Sequence, residues 1–131
     1  MAHILYLDDE EALVFLLTRM MQVLGHDASG FTSATEALET FRQSASSFDL
    51  VLTDLSMPAM GGIEFAIEIL KVRPDTPVAI LTGHADARDV EAARAAGIMQ
   101  VASKPSTIQQ MEQTLKELLD AANSRRIQPG R

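Results

Sequence analysis

The chain has 131 residues, enough for one domain with a genuine hydrophobic core. A hydrophobic fraction of 47% with no apolar run of about 18 residues excludes a membrane-spanning chain and indicates a soluble one. The net charge of −7 argues against direct nucleic-acid binding, which needs a basic face. Cysteine is absent and the N-terminus does not resemble a leader, so a cytoplasmic location is expected.

In chain order, Met1 to Leu7 reads as a strand and Glu10 to Leu24 as a helix. Leu13, Leu16, Leu17, Met20 and Leu24 fall on one helical stripe, predicted to pack on a sheet. Asp9, Glu10 and Glu11 suit the positive end of that helix, and Gly25 ends it. His26 to Phe31 is polar enough to be a short edge strand. Ser33 to Glu36 fits a capping box opening a helix that buries Ala34, Ala37, Leu38 and Phe41. Leu50 to Thr53 lacks polar alternation, as a strand buried on both faces should. Gly61-Gly62 then breaks the chain before a helix over Ile63–Val72, closed by Pro74 and Pro77. A strand over Val78–Leu81 precedes an Ala-rich helix over Ala85–Ala96, which carries few large apolar groups and is expected to be lightly anchored. Ile98–Ser103 is the last strand. The last helix, Thr107–Ala122, is predicted to bury Ile108, Met111, Leu115, Leu118 and Ala122. Residues 123–131 are expected to form a flexible tail.

Strands alternating with helices specify an α/β fold with a parallel sheet. Ligands of such sheets collect at the carboxyl ends of the strands. There this sequence places Asp8-Asp9 after the first strand, Asp54 after the third, Thr82 after the fourth and Lys104-Pro105 after the fifth. Each feature alone has a structural explanation. The acids can cap a helix or loop, Thr82 suits any strand end, and Lys104 could lie along the surface. Capping does not explain a further acid arriving from another strand.

Taken together in this order and spacing, Asp8-Asp9, Asp54, Thr82 and Lys104-Pro105 resemble the receiver domain of bacterial two-component response regulators. Met57-Pro58, Thr82-Gly83 and Ala96-Gly97 add to the likeness. The resemblance spans roughly Ala2 to Ala122, so that residues 1–122 are expected to form the domain, and implies a flavodoxin-like, doubly wound five-stranded parallel sheet of order 2-1-3-4-5 with five helices. That order makes the first and third strands neighbours, bringing Asp8, Asp9 and Asp54 together. Three adjacent carboxylates repel unless a cation shares the site, and all-oxygen donors favour Mg²⁺. The resemblance implies that Asp9, Asp54 and the Ser56 backbone carbonyl ligate it directly and Asp8 through water. It also implies Asp54 as the phosphoacceptor, with Thr82 and Lys104 meeting the phosphoryl oxygens. The donor would be a phosphohistidine on a sensor histidine kinase or a phosphotransfer protein. The output would be contact with a further protein, with room for a homodimer on phosphorylation.

Two other classes fit less well. A phosphohydrolase with an Asp nucleophile wants a second acid two residues on, where this chain has Ser56. A flavodoxin-like nucleotide binder wants a hydroxyl- and Gly-rich phosphate loop after the first strand, where Asp8-Asp9-Glu10 would repel phosphate. Within the resemblance, Val101 stands where an aromatic is usual, Gly61 where Asp is common, and Ser106 where an aromatic often follows Lys-Pro. Ser56 and His84 are expected to rim the site. The chain is expected to be either a stand-alone receiver or a piece of a larger regulator or hybrid kinase.

Overall fold

A computed structural model describes residues 1–126. Five strands, β1 (His3–Leu7), β2 (Asp27–Phe31), β3 (Leu50–Thr53), β4 (Val78–Thr82) and β5 (Gln100–Ser103), alternate with five helices. These are α1 (Glu11–Val23), α2 (Ala34–Gln43), α3 (Gly62–Val72), α4 (Ala87–Ala95) and α5 (Ile108–Arg126), with a short 3-10 turn at Ala45–Ser47. All strand pairs are parallel, in the expected order β2-β1-β3-β4-β5. The polar β2 is an edge strand, as predicted.

Alternation along the buried strands builds two cores. Leu5, Leu7, Val51, Val78 and Ile80 face one layer, packing with Phe41 of α2, Phe65 and Ile69 of α3 and Ala93 of α4. Ile4, Tyr6, Leu50, Leu52, Ala79 and Leu81 face the other, packing with Leu17 and Met21 of α1 and Met111, Leu115 and Leu118 of α5. β3 is completely buried, as its unbroken apolar run requires.

The α1 stripe is rotated from the expected one. Leu16 is 45% exposed, along with Phe15 and Val23, while Thr18 and Met21 are buried and Val14 packs against the core. The space is made by Gly30 on β2, where a Cβ would collide with Val14 and Thr18. The Thr18 hydroxyl donates to the Val14 carbonyl at 2.6 Å, which lets a polar residue sit on the inner face. Ile108, expected in the core, is instead partly exposed at the start of α5. The Ser33 hydroxyl caps α2 by accepting from the Glu36 N–H, whereas the fully reciprocal box forms at α4 between Asp86 and Asp89. α4 contributes one buried side chain, Ala93, in keeping with light anchoring. α5 continues through Arg126, beyond the expected end at Ala122. The rest of the expected tail, residues 127–131, lies outside the described residues.

Candidate functional site

The carboxyl ends of the strands are tied together through the backbone. The Asp8 N–H donates to the Phe31 carbonyl at 3.1 Å, the Asp54 N–H to Leu7 at 2.8 Å and the Lys104 N–H to Thr82 at 3.0 Å. The residues that end β1, β3, β4 and β5 are therefore fixed along one edge before any side-chain interaction is counted.

Their side chains converge. Asp8, Asp9 and Asp54 each place a carboxylate oxygen within 4.8 Å of the others, Asp8 and Asp54 buried and Asp9 exposed. Lys104 bridges two of them, its Nζ lying 2.9 Å from Asp8 Oδ2 and 3.2 Å from Asp54 Oδ1. Pro105 is buried behind it, anchoring the chain from which the lysine reaches. Asp54 Oδ1 also accepts from the Leu55 N–H at 2.9 Å.

Burial raises the Asp54 carboxyl above the usual range, and the negative charge of Asp8 adds to this. Lys104 and the Leu55 N–H pull the other way without cancelling it. Burial alone would lower Lys104, but its contacts with Asp8 and Asp54 outweigh that, and its net shift is upward. One ammonium among three carboxylates leaves the cluster with an excess of negative charge. A small divalent cation would relieve it, and an all-oxygen donor set suits Mg²⁺. Asp9, the exposed member, borders an open cleft of about 450 Å³ lined also by Ser33, Thr35, Met57, Pro58 and Met60.

Thr82 ends β4 and is nearly buried. Its hydroxyl donates to the His84 carbonyl at 3.0 Å and accepts from the His84 N–H at 3.3 Å. Ser56 and His84 are exposed in the loops beyond Asp54 and Thr82. Gly62 opens α3, where a Cβ would overlap the Asp54 carbonyl oxygen. One participant escaped the sequence reading. The Tyr6 hydroxyl, inside the core, donates to Asp8 Oδ2 at 2.6 Å. Its spacing of two from Asp8, which puts both on one side of the strand line, was the available signal.

The family model for the response regulator receiver domain matches residues 4–116. The chain belongs to that family. This receiver domain is 33% identical over 119 residues to the transcriptional regulatory protein GlrR of Escherichia coli, covering 91% of this chain and 26% of that protein. It is 30% identical to the sensor kinase CckA of Brucella abortus, over 91% of this chain and 13% of that protein. The receiver thus spans a minor part of these relatives. Among solved structures, a receiver domain protein from Clostridium thermocellum superposes with a TM-score of 0.83 at 32% identity, covering 96% of this chain and 97% of that one. The Vibrio cholerae chemotaxis protein CheY4 shares the fold, with a TM-score of 0.82 at 24% identity over 90% of this chain and 98% of that one. A receiver domain acts in two-component signalling, and receiver domains as a class work with histidine kinases or phosphotransfer proteins. Among the described residues no helix is long and apolar enough to cross a membrane.

Proposed function

We propose that this receiver takes a phosphoryl group on Asp54 from the phosphohistidine of a sensor histidine kinase or phosphotransfer protein, in a Mg²⁺-dependent reaction within the cytoplasm. The observation that carries the reading is Lys104 bridging Asp8 and Asp54 inside the three-acid cluster. Phosphoryl transfer needs in-line placement and neutralised oxygens more than it needs a base. An Asp54 carboxylate oxygen forms the new P–O bond as the P–N bond to the donor breaks, its electron pair returning to the ring nitrogen. Lys104 lies 3.2 Å from Asp54 Oδ1, close enough to follow the charge that arrives there. Thr82, at the end of the neighbouring strand, offers a hydroxyl once it gives up the His84 carbonyl.

Asp9, Asp54 and the Ser56 backbone carbonyl would hold Mg²⁺ directly, with Asp8 one water away; bound there, the ion would neutralise phosphoryl oxygens. Asp8 suits an indirect role because its oxygens already accept from Tyr6, Lys104 and the Glu10 N–H. The domain then signals by changing its contacts with a downstream protein, or with a second copy of itself, and not by touching nucleic acid. The chemistry is confined to its own phosphorylation and slow dephosphorylation, since Ser56 stands where a phosphohydrolase would carry its second acid.

Incubation with acetyl phosphate and Mg²⁺ should add one phosphate by intact mass, and Asp54→Asn should add none. Labelling of Asp54→Asn at the wild-type rate would overturn the assignment.

A further inference from the structure

Tyr6 is the penultimate residue of β1, with no exposed surface, in the core layer formed with α1 and α5. Phenylalanine would fill that space equally well. A buried phenol must find a hydrogen-bond partner, and here it is a residue of the phosphorylation site rather than a nearby carbonyl. Asp8 is itself fully buried and accepts three donors. Its Oδ1 takes the Glu10 N–H at 3.0 Å, and its Oδ2 takes Tyr6 at 2.6 Å and Lys104 at 2.9 Å. The two donors on Oδ2 differ in kind. The Tyr6 ring is locked in the core, whereas Lys104 is on a flexible stem and already reaches Asp54.

Resting on the reading of Asp54 as phosphoacceptor, we propose that Tyr6 is a positioning residue of the transfer site. Its hydroxyl keeps Asp8 Oδ2 satisfied, so that Lys104 can leave Asp8 for the phosphoryl oxygens on Asp54. Without it, a fully buried carboxylate oxygen would have Lys104 as its one described donor, and moving the lysine would strand a charge without a partner.

Two measurements test this. Tyr6→Phe removes the hydroxyl and keeps the ring. It should lower the maximal rate of Asp54 labelling by acetyl phosphate on the order of tenfold, the worth of one hydrogen bond to a charged group. The Mg²⁺ concentration for half-maximal rate should change less than about twofold, because the hydroxyl touches neither Asp9 nor Asp54. In a Lys104→Gln background the same substitution should cost nothing further, since there is no lysine left to release. A wild-type rate in Tyr6→Phe, or an equal loss in both backgrounds, would overturn the proposal.

The second measurement needs no variant. Tyr6 is the single tyrosine of a chain without tryptophan, so absorbance and emission in the tyrosine band report this one side chain and its surroundings. Adding beryllofluoride with Mg²⁺ should shift that signal as Lys104 departs, and an unchanged tyrosine spectrum in a fully loaded protein would overturn the idea. A wild type that loads neither phosphate nor beryllofluoride at Asp54 would instead defeat the phosphoacceptor reading beneath it.

Discussion

The Thr82 hydroxyl is clasped by the backbone of His84, giving its proton to the carbonyl at 3.0 Å and receiving the N–H at 3.3 Å. Thr82 cannot donate to a phosphoryl oxygen without releasing that carbonyl, which lies two residues before Asp86, the N-cap of α4. α4 is poorly held, with Ala93 alone buried and an open cleft of about 230 Å³ between it and β5. Val101, which lines the same cleft, has a stiff branched side chain where the resemblance expects an aromatic. α4 is therefore the better candidate for the element that moves. Beryllofluoride should change hydrogen exchange mainly in residues 83–97, with a smaller effect around Val101. Changes centred on Val101 with α4 silent would reverse that assignment.

A second prediction concerns the turn that places Asp54. The Gly62 N–H donates to the Leu55 carbonyl at 2.8 Å, drawing the first turn of α3 against the backbone of Asp54. A side chain at this position would overlap the Asp54 carbonyl oxygen, which is backbone and cannot rotate away. Gly62→Ala gains at most about 1 kcal/mol of helix propensity against an overpacking cost of about 1–3 kcal/mol. The variant should melt lower and label more slowly. Unchanged or raised Tm would show that the loop yields more easily than its packing implies.

The site should also cost the apo domain stability. Burial pushes the Asp54 carboxyl upward despite Lys104. A carboxyl raised on folding favours the fold in its neutral form, and that contribution is lost as pH rises through the folded value. At neutral pH the charged group is therefore a burden, and Asp54→Asn should raise Tm in chelator. Mg²⁺ should reverse the ranking, because a ligand at a hundredfold its Kd adds about 2.7 kcal/mol to the protein that binds it. Melting both proteins with and without Mg²⁺ checks this. An Asn variant less stable in chelator would mean that the Lys104 contact outweighs burial.

Much of this was legible in the sequence for a simple reason. Buried parallel strands announce themselves as apolar runs, and the residues that follow them land on one edge whatever the loops do. Asp8, Asp9, Asp54, Thr82 and Lys104 are all of that kind. The phase of α1 was less legible, because two overlapping apolar stripes compete, and the choice depends on Gly30 of another strand making room for Val14 and Thr18. The apolar stripe of α5 ends at Ala122, but the helix runs on to Arg126, with no Gly or Pro in that stretch to stop it. In the sequence Tyr6 is one more residue of the first strand. Nothing in an apolar run distinguishes a ring that only fills space from one whose hydroxyl reaches Asp8.

The last prediction is at the opposite end of the sheet. His26 Nδ1 accepts the Ala2 N–H at 3.1 Å, which requires the neutral ring with its proton on Nε2. The groups sharing this end are the N-terminal residue Met1, the His3 ring and the carboxylates of Asp27 and Asp49 in the two neighbouring clefts. Burial lowers the His26 pKa, and the positive N-terminal amine lowers it further. A base lowered on folding leaves the unfolded chain holding more protons below its ordinary value of about 6.5, so folding loses stability as pH falls through that range. The contribution is fully present above about pH 7. His26→Gln removes the titration, so the Tm advantage of the wild type over this variant should be largest near neutrality and shrink toward pH 5. A Tm difference that stays constant from pH 7 to pH 5 would mean that the Ala2 contact contributes without any proton linkage.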